Sequence, residues 1–223
     1  QRSDWQSMKQ IASFGCGVDS VAMVLLKPDY DEIIFADTGS EMPQTYKFLK
    51  YFEKKSGLKV TKVKSKYGNI YDYYFGKKAQ PTIFMRDCTS KFKISVIRKY
   101  LREKYGKKET FEMNLGIDYS EFHRMRESDV KYIKNKYPLV EQKLSRDQLI
   151  ELIKSKGYEV PIKSGCFFCM FQKPKAWLNL KQTQPQLWEK AKALEKNSTM
   201  KLPLINLKGK DSQTLFECGC FNG

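Results

Sequence analysis

The stretch QIASFGCGVDSVAM (Gln10–Met23) sets an apolar run of strand length against a Gly-Cys-Gly turn, then a helically spaced apolar segment. A buried strand that feeds a helix through a tight turn is half of a parallel-sheet unit, and the pattern recurs. DEIIFADTG is a second apolar strand, followed by a helix over MPQTYKFLKYFEKKSG, with Pro43 near its start and Gly57 as its stop. LKVTKVK reads as a third strand, SVIRKYLREKYG as a basic amphipathic helix and TFEMNLGID as a fourth strand. The expected fold is α/β, a Rossmann-like parallel sheet with helices on both faces.

From about Glu127 the character changes. SRDQLIELIKSKG is a helix with Ser145 as N-cap and Gly157 as stop, PIKSGCFFCMF is a loop, and KPKAWLNLKQTQ and PQLWEKAKALEKN are helical. GKDSQTLFECGCFNG reads as an irregular tail. The expected layout is a nucleotide-binding α/β domain over 1–126 and a smaller, mostly helical C-terminal region over 127–223, sharing an interface.

Lys and Arg number 41 against 25 Asp and Glu, a net charge of +16, which favours anionic partners such as nucleic acid, nucleotides or acidic lipid. No stretch approaches the ~20 apolar residues of a membrane span, and the N-terminus lacks an apolar signal region. A cytoplasmic protein with reduced thiols is expected, so six cysteines point to metal or redox chemistry rather than disulfides.

Main-chain N–H groups and the positive end of the first helix form an anion site at the Gly-rich turn, and glycine lets phosphate approach the backbone. The turn lacks the Gly-Lys-Ser/Thr of a Walker loop and the spacing of a dinucleotide fingerprint. Cys16, in its middle, is either a small buried substitute for glycine or a thiol activated by the helix N-terminus. Asp37, Gly39 and Glu41 follow the second strand, where ligands of open α/β sheets bind. Asp37 suits a ribose hydroxyl or Mg²⁺, with Glu41 as the weaker candidate. The structural alternative is an N-cap for the helix near Pro43, which fits Ser40 better. Cys166 and Cys169, two residues apart in a Gly-led turn, fit zinc, an iron–sulfur cluster, a redox dithiol or coincidence. KSKYGNIYDYYFGKK interleaves aromatic and basic residues, as a base-stacking surface does, and equally as a helix with core-facing tyrosines. KYIKNKYPLVEQK does so more weakly. His123 receives no catalytic role.

Ser13–Ser20 resembles the pyrophosphatase loop of the N-type ATP pyrophosphatases (the adenine nucleotide alpha-hydrolase-like superfamily). It is closest to the form seen in relatives of phosphoadenosine-phosphosulfate (PAPS) reductase. The resemblance continues through FADTGSEMPQTYKFLKYFE, CTSKFKISVIRKYL, LGIDYSE, SGCFFC and the terminal ECG, in the expected order over most of the chain. It implies a HUP-type sheet in which Ser13, Gly15, Gly17, Val18, Asp19 and Ser20 cradle the β,γ-phosphates of ATP with Mg²⁺, or the anionic end of a sulfonucleotide. Asp37, Gly39, Gly116 and Asp118 complete that site, the last two on the α-phosphate side.

The resemblance also implies a [4Fe-4S] cluster on Cys88, Cys166 and Cys169. The family's doubled cysteine is single here, so Cys220 is the candidate fourth ligand. Cys218 matches the family's sulfur-accepting nucleophile and counts as catalytic together with Asp19. The roles of Cys218 and Cys220 can be reversed, and an open iron can instead bind sulfide. Three functions follow. The first is an ATP pyrophosphatase that adenylates RNA, DNA or a nucleotide for sulfur transfer from a sulfur donor. The second is an APS or PAPS reductase served by a thioredoxin-like reductant. The third is a non-enzymatic nucleic-acid-binding protein with structural zinc. A homodimer is expected as the assembly.

Overall fold

The computed structural model describes residues 8–200 and 202–207. Five parallel strands, β1 (Lys9–Ser13), β2 (Glu32–Asp37), β3 (Val60–Lys64), β4 (Phe111–Leu115) and β5 (Ile133–Lys136), form one sheet in the order β3-β2-β1-β4-β5. β1 lies in the middle, and the order reverses between β1 and β4. That reversal opens a crevice at the carboxyl ends of those two strands.

Helices α1 (Val18–Leu26), α2 (Pro43–Ser56) and α7 (Arg146–Ser155) cover one face. α1 is buried from Val18 to Leu25 because the sheet lies on one side of it and α7 on the other, so its apolar residues need no single stripe. α7 opens on the expected Ser145 cap, a capping box closed by Gln148. α5 (Ser95–Tyr105) covers the other face through Val96, Ile97 and Leu101.

A second, smaller core gathers α3 (Ile70–Gly76), α8 (Pro174–Thr183) and α9 (Pro185–Asn197) around Phe92, Phe167, Phe168 and an edge-on Trp177–Trp188 pair. Two short helices, α4 (Asp87–Thr89) and α6 (Pro138–Glu141), complete the α-helices of the described residues. The sheet continues past residue 126: β5 and the α1–α7 packing both draw on the later residues. No helix of the described residues is long and apolar enough to cross a membrane.

Candidate active site at the carboxyl ends of the strands

The turn from β1 into α1 has the build of an anion site. Gly17 caps α1 in an extended conformation with no side-chain hydrogen bond, and the helical ladder begins with the Val21 amide donating to the Gly17 carbonyl at 3.0 Å. The amides before it are left to a ligand. Cys16 sits at φ 60°, a left-handed conformation that favours glycine. Its side chain is 1% exposed, and burial pushes the thiol far above its ordinary range, the reverse of activation. Cys16 is thus a buried spacer. Ser13, Val18 and Ser20 are buried as well, and the Ser20 hydroxyl turns back to donate to Gly17 at 3.2 Å.

Gly116 and Asp118 leave β4 directly beside this turn. A Cβ on Gly116 would lie 2.7 Å from the Ser20 nitrogen and 2.8 Å from the Asp19 carbonyl carbon, so only glycine lets β4 approach α1 this closely. Asp118 is buried and accepts from the Ser120 amide at 2.8 Å, capping the 3₁₀ turn Tyr119–Arg124. Asp19, Asp118 and Glu121 bring one carboxylate oxygen each within 4.8 Å of one another. Arg146 pairs with Asp19 at 2.5 Å, and Arg124 pairs with Glu121. Burial raises the Asp19 carboxyl to about 6, with Asp118 pushing the same way and Arg146 opposing. Hard oxygen donors around one point suit Mg²⁺ carried in on a nucleotide.

The turn after β2 has a different task. Asp37 Oδ1 accepts from the Gly39 amide at 2.8 Å and the Tyr46 hydroxyl at 2.7 Å, which fixes its own turn. Neither Asp37 nor Ser40 caps α2: Met42 holds that position, and Ser40 instead donates to Asn69 Oδ1 at 2.7 Å. Gly39, at φ 74°, packs against Asn69, which caps α3. Thr38 donates to Glu41 Oε1 at 3.0 Å and meets the Cys166 sulfur at 3.4 Å. Glu41 and Cys166 form an antiparallel bridge, with the Met42 amide on the Gly165 carbonyl and the Phe167 amide on Ser40, each at 3.0 Å. The Cys-x-x-Cys loop is therefore strapped to the turn that follows β2.

Cys88 precedes a π-helical segment, Ser90–Ile94, whose irregular turn carries Lys93 inward. Lys93 Nζ lies 3.8 Å from Glu41, with both side chains largely buried. Burial works against its ammonium, but Glu41, Cys166, Cys169 and Cys88 outweigh it and hold the pKa above the usual lysine value. Lys93 Nζ and the Cys166 sulfur thus converge on Glu41 Oε1, at 3.8 and 4.0 Å, and Cys88 and Cys166 pack on one apolar core. Burial pushes the metal-free thiols up, so binding must release protons. Zinc with Zn–S of about 2.3 Å would bring its sulfurs to within about 4 Å of one another. Among the described residues, the three thiols do not form such a group, whereas the carboxylates do. Cys218 and Cys220 lie outside the described residues.

The structure places Asp19, Gly116 and Asp118 around one crevice, and it brings Cys166 and Lys93 together at Glu41, with Lys93 lining a cleft beside Ser13 and Gly15. Sequence reasoning passes over Thr38, Glu121, Arg124 and Arg146. Arg146 comes from a helix 127 residues after Asp19, and no spacing links them.

Residues 9–116 match the phosphoadenosine phosphosulfate reductase domain. An uncharacterized protein of Methanocaldococcus jannaschii is 29% identical over 195 residues, covering 80% of this chain, which spans 45% of that relative's length. The phosphoadenylyl-sulfate reductase of Candida auris, solved as a phosphate complex, superposes with TM-score 0.51 at 14% identity over 69% of this chain and 75% of that one. The U34-tRNA thiolase NcsA of Methanococcus maripaludis, solved with its [4Fe-4S] cluster, gives TM-score 0.45 at 17% identity over 85% and 71%. Over residues 9–116 the chain is thus similar to the phosphoadenosine phosphosulfate reductase domain.

Proposed function

We propose that the protein is an ATP pyrophosphatase that adenylates an oxygen of a nucleic-acid or nucleotide acceptor for replacement by sulfur. The observation that carries this reading is the Asp19–Asp118–Glu121 cluster beside the uncapped start of α1. ATP reacts as its Mg²⁺ complex, and a divalent ion between those carboxylates and the phosphates joins both features. The main-chain amides from Gly15 to Ser20 hold the β,γ-phosphates. The acceptor oxygen attacks the α-phosphorus, the bond to the bridging oxygen breaks, and pyrophosphate leaves with that electron pair. A sulfur at the sulfide level then displaces AMP from the acceptor carbon, with no net oxidation.

In this reading Cys88, Cys166 and Cys169 hold an iron–sulfur cluster, which supplies a binding point for that sulfur. Lys93 offsets the thiolate charge, and the Ser40–Met42 strap keeps the cysteine loop against the nucleotide crevice. Cys218 and Cys220 are the proposed sulfur-accepting thiol and fourth ligand. The compartment is the cytoplasm.

The family match itself favours a second reading, reduction of a sulfonucleotide to sulfite. One assay separates them. Anaerobically purified protein with Mg²⁺·ATP and RNA should release pyrophosphate, and added sulfide should then release AMP. Sulfite from APS or PAPS, without pyrophosphate, would establish the reductase instead.

A further inference from the structure

A cavity of about 260 Å³ lies on the α5 side of the sheet, beyond β4. Ile94 and Ile97 form one wall, while Met113, Leu115 and Ile117 form the other. The mouth belongs to the segment after Asp118, which contributes Arg124, Arg126, Glu127, Ser128 and Asp129, and Arg98, which also lines the cavity, pairs with Asp129. Two apolar walls describe a slot for a flat ring, and the rim is of mixed charge, with Arg98 and Arg124 each held by a carboxylate. The volume falls below the roughly 300–1,000 Å³ of pockets that enclose larger ligands, so it fits one base and not a whole nucleoside triphosphate.

Two features say what the ring is attached to. Arg126 donates to the carbonyls of His123 at 2.8 Å and Met125 at 2.7 Å, and among the described residues it has no carboxylate partner. Its charge stays available for phosphate. On the 3₁₀ turn just before Arg126, Tyr119 and Phe122 stack with ring centroids 6.1 Å apart and planes 29° apart, although they are 44% and 55% exposed. An exposed aromatic pair beside arginines is a platform for successive unpaired bases. Arg124 lines the cavity and pairs with Glu121, so the cavity and the carboxylate cluster share a wall.

We infer that this cavity takes a flipped-out base of a single-stranded nucleic acid, the acceptor of the adenylyl group, with flanking bases on Tyr119 and Phe122. The inference rests on the ATP pyrophosphatase reading for the reaction, but not for the binding. A base in a duplex cannot enter the slot, so the acceptor nucleotide must be unpaired.

The test is binding of a short single-stranded RNA carrying one 2-aminopurine to the full chain, read by anisotropy and 2-aminopurine emission. Wild type should bind and change the emission. Ser128→Trp, which fills the slot from its exposed side, should lose about tenfold in affinity, the contribution of one stacked base, and should abolish the emission change. Arg126→Ala, an exposed position that leaves folding intact, should weaken binding and lower the salt slope by about one. Full affinity in both variants overturns the inference, as does failure of wild type to bind the RNA. So does 2-aminopurine riboside binding as tightly as the RNA. Calorimetry with ATP separates the two readings: if wild type binds no ATP but the variants lose RNA, the base site stands and the pyrophosphatase falls.

Discussion

The Thr38 hydroxyl stands 3.4 Å from the Cys166 sulfur, joining segments 128 residues apart. The same hydroxyl donates to Glu41, and Glu41 faces Lys93 at 3.8 Å. One turn after β2 thus carries the cysteine loop, the buried cation and the edge of the nucleotide crevice. Glu41→Gln keeps an acceptor for Thr38 but removes the charge facing Lys93. Breaking a buried pair from one side costs about 3 kcal/mol or more, because the remaining charge is stranded. The urea midpoint should fall at unchanged slope, and the cysteine loop should become sensitive to protease. An unchanged midpoint would mean that Lys93 is neutralised by something other than Glu41.

Replacing any one of Cys88, Cys166 or Cys169 by Ser should lower iron, acid-labile sulfide and thermal stability together, since metal binding contributes to folding. Iron and sulfide are measured on anaerobically purified protein. Full iron in Cys88→Ser would detach Cys88 from the set. Zinc without sulfide in wild type would replace the cluster by a mononuclear site.

Gly116→Ala tests the approach of β4 to α1. Its Cβ would meet main-chain atoms of Asp19 and Ser20 at under 3 Å, and backbone cannot swing aside as a side chain does. Overpacking of this kind costs about 1–3 kcal/mol. The shift falls on the first turn of α1, so calorimetric ATP affinity should drop alongside stability. Lost stability with unchanged ATP affinity would move the phosphates off this turn.

The sequence shows the alternation of strand and helix because β1, β2 and β4 are buried runs and α2 carries Pro43 and Gly57 at its ends. β5 escapes such reading for a physical reason. It is a four-residue edge strand, IKNK, in which Ile133 alone is buried, so neither apolar content nor alternation marks it. The phosphate turn is legible as a local Gly-rich motif. The Arg146–Asp19 pair, the carboxylate cluster and the cavity are products of tertiary assembly between remote segments. Cys16 shows a motif position kept by conformation: its left-handed φ is what the glycine of the commoner pattern supplies.

Asp19 should give the fold a pH dependence. Its carboxyl titrates at about 6 in the folded chain against an ordinary 3.8. Between those values the folded chain holds the proton and the unfolded chain does not, so stability falls as pH rises from about 4 to about 6. The cost at neutral pH is about 3 kcal/mol, from roughly two units at 1.36 kcal/mol each. Asp19→Asn should flatten that part of the stability–pH curve. In wild type, Mg²⁺ with ATP should lower the Asp19 midpoint in carboxyl NMR, because a cation favours the ionised form. A midpoint that ignores Mg²⁺·ATP would separate Asp19 from the metal.

Salt dependence distinguishes a nucleic-acid acceptor from a small sulfonucleotide. Each phosphate held by Lys or Arg releases condensed counterions, so binding of single-stranded RNA should weaken by about 0.7 log units per log unit of salt for every contact. With a net charge of +16 and Arg126 at the mouth of the cavity, several contacts are expected and the slope should be steep. A sulfonucleotide meets few charged groups and gives a shallow slope. The same titration, followed by pyrophosphate release, should show RNA stimulating ATP cleavage at low salt and losing that effect as salt rises, while ATP affinity changes little. RNA-independent pyrophosphate release at every salt concentration would remove nucleic acid as the acceptor. Sulfite from APS or PAPS, with no RNA binding at low salt, would make this chain a reductase.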